Sequence, residues 1–381
     1  MVKNPGKLSV GFCYDDSLDK ADGVAQYVKN LGNWLSYQGH HVFYLVGETK
    51  TRNWAGGHVY SLAKNQKVFF NGNFVSTPLP ASRRRIKEVL QKERPDILHV
   101  QMPYSPFLAG RVITAVSPET AVVGTFHILP ANILARLGSR FLRLFYLRTL
   151  KRFSRVVSVS QPAADFAHRA FGINSVVSSN VVELGRFSQG GSQPQENHIV
   201  FLGRLVKRKG CEELLRAFAI LKKRLPAATL TIAGDGPMRQ KLEKYADDSG
   251  LRGSVTFRGF VDENEKPGIL ASASIACFPA TGGESFGIVL IEAMAAGAGV
   301  VMGGNNPGYA SVLGKNLVTL VDSGNSMAFA ESLEKILTDH NLAGKLHEQQ
   351  QEQVKQYDVA VVGSQLLKIY TQAIASRRQK K

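Results

Sequence analysis

The sequence predicts an α/β protein of two Rossmann-like domains facing each other across a cleft. Three observations predict it. Short β-rich runs alternate with longer segments of helical period along the whole chain, the pattern of βαβ units and a parallel sheet. The alternation begins afresh after residues 188–195, Ser-Gln-Gly-Gly-Ser-Gln-Pro-Gln, a stretch with no apolar residue and the composition of a linker. A length of 381 residues also exceeds what one hydrophobic core usually serves. With 44% hydrophobic and 20% charged residues the chain can bury a real core, which excludes disorder, collagen and coiled coil.

In the first half, strands are predicted at Leu8–Tyr14, His41–Gly47, Ile97–Met102, Ala121–His127 and Arg155–Ser160. Each is short, apolar and rich in β-branched or aromatic residues. Helical patterns fill the gaps at Val24–Gln38, ended by Gly39, and Ser82–Glu93, ended before Pro95. Others follow at Ser105–Val116, Pro130–Arg152 and Gln161–Ala170. A second series places strands at His198–Leu205, Ala228–Ala233, Val255–Phe260, Ile275–Pro279, Gly299–Met302 and Leu317–Val321. Helices alternate with them at Cys211–Leu225, Pro237–Asp247, Glu263–Ser272, Gly287–Ala296 and Ser326–Thr338. Two such series leave a cleft between the carboxyl ends of both sheets, where folds of this kind bind ligands. A final helical segment spans Val359–Ala375, ahead of a basic tail.

The formal net charge of +17 calls for an anionic partner: nucleic acid, an acidic bilayer or a phosphorylated substrate. The excess belongs to the first half, where residues 1–190 carry 24 Lys and Arg against 11 Asp and Glu. Residues 191–381 carry 23 against 19. The beginning of the chain lacks an apolar signal core and a small-residue cleavage site, which predicts a cytoplasmic protein. The most apolar stretch, Gly287–Gly304, is interrupted by Glu292 and is too short and Gly/Ala-rich for a spanning helix. Cys13, Cys211 and Cys277 are odd in number and far apart, which suits reduced structural thiols and neither zinc nor a disulfide frame.

The chemistry concentrates in the second half. Residues 282–297, Gly-Gly-Glu-Ser-Phe-Gly-Ile-Val-Leu-Ile-Glu-Ala-Met-Ala-Ala-Gly, read as a glycine-rich loop after a strand that becomes a helix near Phe286 or Gly287. Unpaired N–H groups at such a start suit a diphosphate. Glu284 and Glu292, eight residues apart, can meet one ligand at different depths. On spacing alone, a capped buried helix with solvated glutamates fits equally. Gly203-Arg-Leu-Val-Lys-Arg-Lys-Gly210 follows the first strand of the second series and gathers cations that can clamp a diphosphate, or form a solvated basic loop. In the first half, Asp22-Gly23-Val24 opens a helix and Gly124-Thr-Phe-His127 ends a strand at the expected cleft. No D-x-D pair occurs, so a carboxylate-bound catalytic metal is not required, although magnesium is compatible as a modulator.

Glu284 through Glu292 resembles the E-x7-E motif of retaining glycosyltransferases with two Rossmann-like domains, the GT-B type and glycosyltransferase family four. The wider string is most similar to that of the phosphatidylinositol α-mannosyltransferases, and the resemblance covers almost the whole chain. The resemblance implies that Glu284 lies against the donor sugar and that His127 orients it and stabilises charge in the transition state. It implies that Arg204 and Lys209, with Arg208 adjacent, hold the diphosphate; the loop is one residue shorter than in the mannosyltransferases, which leaves Lys207 or Arg208 open as the partner of Arg204. Gly23, Gly283, Ser285, Phe286, Gly287, Ile288, Val289 and Leu290 would complete the donor site, Val261 would meet the base and Glu292 the ribose. Tyr14, Asn71 and Gly72 would contact the acceptor. Asp22 stands where the family has glycine, Ala25 where it has glutamine, and Ser76, Thr77 and Pro78 where it has arginines.

Within 131–155, seven cations, Arg136, Arg140, Arg143, Arg148, Lys151, Arg152 and Arg155, share one helical arc with bulky apolar residues. That mixture suits an anionic bilayer surface. A second basic cluster, Arg83-Arg-Arg-Ile-Lys87, adds to the same half. The expected organisation is an acceptor- and membrane-binding domain over 1–190, a nucleotide-sugar-binding domain over 191–358, and over 359–381 a helix crossing back to the first domain plus the tail. The expected activity is retaining transfer of a hexose, mannose from GDP-mannose, to a lipid head group such as phosphatidylinositol. The enzyme would sit peripherally on the inner face of the cell membrane, without nucleic acid or an obligate protein partner. A UDP-glucose enzyme acting on diacylglycerol or a polysaccharide, and a non-catalytic anionic-lipid-binding protein of the same fold, stay open as alternatives.

Overall fold

The computed structural model describes the chain except residues 1–5, 20–21, 71–72, 130–145, 147–148, 315 and 379–381. In chain order its first part comprises β1 (Ser9–Tyr14), α1 (Gly23–Tyr37), β2 (His41–Val46), β3 (Asn53–Trp54), β4 (Gly57–Ser61), β5 (Asn65–Phe70) and β6 (Asn73–Pro78). There follow α2 (Arg83–Glu93), β7 (Ile97–Met102), α3 (Ala109–Ala115), β8 (Ala121–Phe126), β9 (Phe153–Ser158), α4 (Gln161–Phe171) and β10 (Val176–Val177). The second part comprises α5 (Leu184–Phe187), β11 (Gln195–Leu202), α6 (Cys211–Arg224), β12 (Thr229–Ala233), α7 (Arg239–Asp248), β13 (Val255–Gly259) and α8 (Lys266–Ala271). It continues through β14 (Ala273–Phe278), α9 (Ile288–Ala295), β15 (Val300–Gly304), α10 (Pro307–Leu313), β16 (Leu320–Val321), α11 (Ser326–Thr338) and α12 (His340–Val354), and ends in α13 (Val359–Arg378).

Packing divides these elements into two compact units, one running to Val181 and resuming at Val359, the other spanning Val182–Asp358. The polar stretch 188–195 therefore lies inside the second unit, where Ser188–Gly190 forms a 3-10 turn and Gln195 already opens β11. Its composition marks a surface turn as readily as a linker.

In the first unit the sheet order is β10-β9-β8-β7-β1-β2-β4-β3, parallel throughout except for β3 against β4. All six residues of β7 and of β8 are buried, which is why their sequences are mainly apolar, with His99, Gln101 and Thr125 as the buried polar exceptions. β3, β4, β5 and β6 carry no clear sequence signal, being two to six residues long and mixed in polarity. β5 and β6 pair antiparallel from Asn65↔Pro78 to Phe70↔Asn73. The helix expected over Ser105–Val116 is confined to α3, because Pro106 follows Ser105 and the Ser105 hydroxyl accepts from the Phe107 and Leu108 N–H groups in a turn. Of the helix expected over Pro130–Arg152, Tyr146, Thr149 and Leu150 are described and helical. Tyr146 is buried and its hydroxyl both accepts from the Tyr104 N–H and donates to the Tyr104 carbonyl.

α13 belongs to this unit. It packs on α1, β8 and β9, where Val362, Leu366, Tyr370 and Ala373 join the core with Val10, Phe12 and Leu31. Gly363 permits the crossing: a Cβ there would lie 2.5 Å from the Trp34 ring. The core carries a polar chain, with the Tyr370 hydroxyl 2.7 Å from His99 Nδ1 and His99 Nε2 2.6 Å from Thr125 Oγ1. The second unit has the order β13-β12-β11-β14-β15-β16, all parallel. Its core is built by α6, α7, α11 and α12 against the strands.

Tyr370→Phe strips the buried His99 of its Nδ1 partner, so the folded state should lose about 1–3 kcal/mol. Denaturant unfolding of the full chain measures that loss, and an unchanged midpoint would contradict the role given to the pair.

Candidate functional site

In the second unit the loops after β11 and β14 meet at the carboxyl edge of the sheet. Gly210, at φ 75°, is the position of closest approach: a Cβ there would fall 2.0 Å from the Pro279 carbonyl oxygen. The Thr281 N–H also donates to the Arg208 carbonyl at 2.9 Å. This contact carries the basic loop 203–210 onto the loop that holds Glu284. A third loop joins at Gly308, whose Cβ would fall 2.0 Å from the Glu284 carbonyl oxygen. It is fixed by Asn306, which caps α10 through the Tyr309 N–H at 3.0 Å and donates its amide to the Ala280 carbonyl at 3.0 Å. Sequence reasoning passed over Asn306 and Gly308. Their signal is Asn-Pro-Gly at 306–308, a cap followed by Pro at the first helical position.

Arg208 Nη1 and Lys209 Nζ both bond Glu284 Oε1, the latter at 2.9 Å. Burial would raise the Glu284 carboxyl, but Lys209 and Arg208 outweigh it and hold it below the usual carboxylate range. Arg208 Nε is buried with no partner among the described residues. Arg204, expected to pair with Lys209, is instead exposed and takes no part in this cluster, as is Lys207. The shortened loop brings consecutive residues 208 and 209 inward from a single 3-10 turn, Lys207–Lys209, and leaves 204 outside.

Just beyond Glu284, α9 begins at Ile288 with Gly287 as its cap, at φ 109° and ψ 65°. A side chain at 287 would strike the Tyr309 ring at 2.6 Å. No side chain caps α9, and with the Leu290 N–H donating to the Gly287 carbonyl at 3.0 Å, the Ile288 and Val289 N–H groups are the ones that suit an anion. Gly283 and Ser285 flank Glu284, and Ile288 and Val289 are part-buried. Phe286 packs edge-on against Tyr357, with ring centroids 5.4 Å apart, and Leu290 is fully buried. Those two therefore offer backbone alone. Val261 is buried beside the turn after β13.

Glu292 lies deeper, 7% exposed. Burial pushes its carboxyl up, Lys266 at 3.8 Å opposing and Glu263 adding to the shift. Lys266 also bonds Glu263 at 2.5 Å, and Arg186 donates to the Glu263 carbonyl at 2.6 Å. Arg186, Glu263 and Lys266 are the surroundings of Glu292 that the motif alone did not reveal.

In the first unit His127 follows β8. Its N–H donates to the Met102 carbonyl, its Nε2 lies 2.9 Å from Gln101 Oε1, and its ring meets Tyr27 edge-on at 5.1 Å. Burial lowers it to about 3, so the ring is neutral near pH 7. Gly23 is the exposed first residue of α1, and the charge of Asp22 is turned onto that helix. Asp22 Oδ1 accepts from the Val24 and Ala25 N–H groups at 2.9 and 3.0 Å, and its carboxylate accepts from the Tyr14 hydroxyl at 3.0 Å. The start of α1 is thus capped internally, unlike that of α9. Tyr14 is spent on that cap, while Asn71 and Gly72 lie outside the described residues, between the paired strands β5 and β6. Arg136, Arg140, Arg143 and Arg148 also lie outside them. Lys151 is exposed, and the Arg152 guanidinium turns inward to the Val116 and Ser117 carbonyls, which removes it from the outward basic arc expected of it.

His127 refuses a proton that an unfolded chain would accept below pH about 6.5. Its contribution to stability is therefore present above that pH and is lost as pH falls toward 3. In His127→Gln, the decline of unfolding free energy from pH 7 to pH 5 should be shallower than in the unaltered chain. Identical slopes in denaturant titrations would contradict the neutral, buried histidine.

Residues 21–186 match the family model described as Glycosyltransferase Family 4, and residues 186–356 the model described as Glycosyl transferases group 1. A phosphatidyl-myo-inositol mannosyltransferase of Mycolicibacterium smegmatis is 30% identical over 370 residues, covering 95% of this chain and 93% of that protein. A GDP-mannose-dependent alpha-(1-6)-phosphatidylinositol monomannoside mannosyltransferase of Mycobacterium tuberculosis is 27% identical over 347 residues, covering 82% of this chain and 87% of that protein. Among solved structures, a sucrose-phosphate synthase from Thermosynechococcus elongatus superposes with a TM-score of 0.77 at 20% identity, over 97% of this chain and 100% of that one. That likeness shows the fold.

Proposed function

The chain belongs to the family-four glycosyltransferases of GT-B fold and is a glycosyltransferase. From that membership we propose that it transfers mannose from GDP-mannose, with retention of the anomeric configuration, to a lipid head group such as phosphatidylinositol. The observation that carries the proposal is the cluster of Arg208, Lys209 and Glu284 beside the uncapped start of α9. Breaking the bond between the sugar and its diphosphate builds negative charge on the departing oxygen. Two cations and a helix start already in place stabilise that charge without reorganising.

Arg208 and Lys209 would grip the diphosphate as it leaves, with Arg204 recruited only as a solvent-side contact. Glu284 is ionised in the absence of donor and would turn to the sugar hydroxyls once phosphate oxygens take over its cations. Glu292, raised by burial, suits a hydrogen bond to a ribose hydroxyl. His127, neutral and fixed by Gln101, would present a ring nitrogen to the sugar. The relatives' printed names support mannose, its GDP carrier and an inositol lipid.

Among the described residues no helix is long and apolar enough to cross a membrane. Contact with an anionic inner-face bilayer is proposed through the basic segment that includes Lys151. The domain roles proposed are acceptor and membrane for the first unit and nucleotide sugar for the second.

Labelled GDP-mannose offered with phosphatidylinositol vesicles should yield a mannolipid of the expected mass. Glu284→Gln should lower the rate at least about a hundredfold, in line with the loss of a group acting at the reacting centre. Lys209→Ala should weaken GDP binding by about tenfold or more, as expected for a charge-assisted contact. Transfer that survives Glu284→Gln would overturn the role of that residue. In flotation with anionic vesicles, Arg140, Arg143 and Lys151 changed together to Glu should abolish binding, and unchanged binding would defeat the membrane contact.

A further inference from the structure

We propose that the first unit carries a second anion site, a groove at the amino edge of its sheet that takes a phosphate-bearing ligand. A groove of about 1200 Å³ opens between the end of α2, the turn joining α3 to β8 and the last turn of α13. Asp96 immediately precedes β7 and Thr120 immediately precedes β8, and both line it. The groove thus lies at the opposite ends of these parallel strands from His127, a six-residue strand or roughly 20 Å away. It is independent of the donor reading.

Its charge comes from two elements. Lys87 and Arg94 enter from α2 and its cap, and Arg377 and Arg378 from α13. Arg377 donates through Nη2 to the Arg152 carbonyl at 2.7 Å, and Arg152 in turn donates to the carbonyls of Val116 and Ser117, which line the groove. Two guanidinium-bearing residues therefore sit together, anchored on carbonyls. Burial and then the neighbouring Arg377 charge make Arg152 give up its proton more readily than a free guanidinium. Arg377 Nε is buried with no partner among the described residues. Two carboxylates share the rim: Asp96, which accepts from the Ser9 N–H at 2.8 Å, and Glu119, which has partners of its own.

Arg94 adds a backbone observation. It caps α2 in the left-handed region at φ 42°, which strains a residue with a side chain and costs glycine nothing. Arg94 Nε donates to the Gln91 carbonyl at 3.3 Å, which holds this arginine on the rim of the cationic groove. Complementing helix dipoles accounts for basic residues in the last turns of α2 and α13. It does not account for Lys87, within α2, or for the buried Arg377 Nε that has no partner among the described residues. A phosphate meets their geometry, since guanidinium groups bind its oxygens in pairs. The source is either a soluble phosphate ester or an anionic lipid head group.

The test uses the full chain with Arg208→Gln and Lys209→Gln, which removes the diphosphate cations of the second unit. Inorganic pyrophosphate titrated calorimetrically into this protein should still bind, and adding Arg94→Gln and Arg378→Gln should weaken it at least tenfold. Both added positions are exposed, and unchanged thermal midpoints without pyrophosphate confirm that the fold survives. Flotation with phosphatidylglycerol vesicles separates the sources. Vesicle binding that pyrophosphate competes away and that falls with the two groove substitutions assigns a lipid phosphate. Vesicle binding indifferent to both, with pyrophosphate binding retained, assigns a soluble one. No pyrophosphate binding in the Arg208→Gln, Lys209→Gln background, or binding indifferent to Arg94→Gln and Arg378→Gln, overturns the site.

Discussion

At the carboxyl edge of the second sheet, backbone is packed against backbone with no side chain between. Gly210 lies on the Pro279 carbonyl, Gly308 on the Glu284 carbonyl, and Gly234 so close to Gly203 that a Cβ would fall 1.9 Å from its carbonyl oxygen. Any side chain at these positions would wedge the loops apart. Their closeness lets two consecutive cations from one loop reach a carboxylate on another, and it lets α9 start uncapped against them. The site is therefore a property of three glycines as much as of its charged groups, since a misplacement of about one ångström can cost about a hundredfold in rate.

Charge is distributed between the units by different devices. In the second unit several cations are matched: Glu212 takes Arg216 and Lys241, Glu334 takes Arg224, Glu243 takes Arg239 and Glu263 takes Lys266. Such pairs add little stability, but they lower the stray positive field around Arg208 and Lys209. In the first unit carbonyls take the place of carboxylates as partners for Arg111, Arg152 and Arg377. A carbonyl fixes a guanidinium in place without cancelling its charge, so the excess of that half remains available to anions.

Strands buried on both faces were legible because mostly apolar residues occupy them, as in β7 and β8, where His99, Gln101 and Thr125 are the buried polar exceptions. The E-x7-E segment stood out through its resemblance to a family motif, since on spacing alone a capped buried helix fits it equally. What stayed hidden depends on contacts that no periodicity reports. α12 reads as polar, His-Glu-Gln-Gln-Gln-Glu-Gln, yet its Gln350 is buried and clamps Val301 of β15 through both the N–H and the carbonyl, at 2.8 and 2.9 Å. A glutamine spent on an inner strand looks like a surface glutamine in one dimension. That Arg208 and not Arg204 meets Glu284 was hidden for the same reason, since it turns on how a loop rotates over four residues.

Asp22 shows how one departure from a family pattern is absorbed. A carboxylate beside a phosphate site would repel its ligand, and glycine there avoids the problem. Here the side chain folds back onto its own helix, taking two N–H groups and the Tyr14 hydroxyl. Burial nevertheless pushes its carboxyl up, with Asp16 adding to the shift, so the bonds only partly offset the cost of the buried charge. The start of α1 consequently offers an anion far less than the start of α9, whose cap is a glycine without a side chain. Of the two helix starts that the sequence marked as phosphate sites, the structure closes one with its own aspartate and leaves the other open beside Arg208 and Lys209.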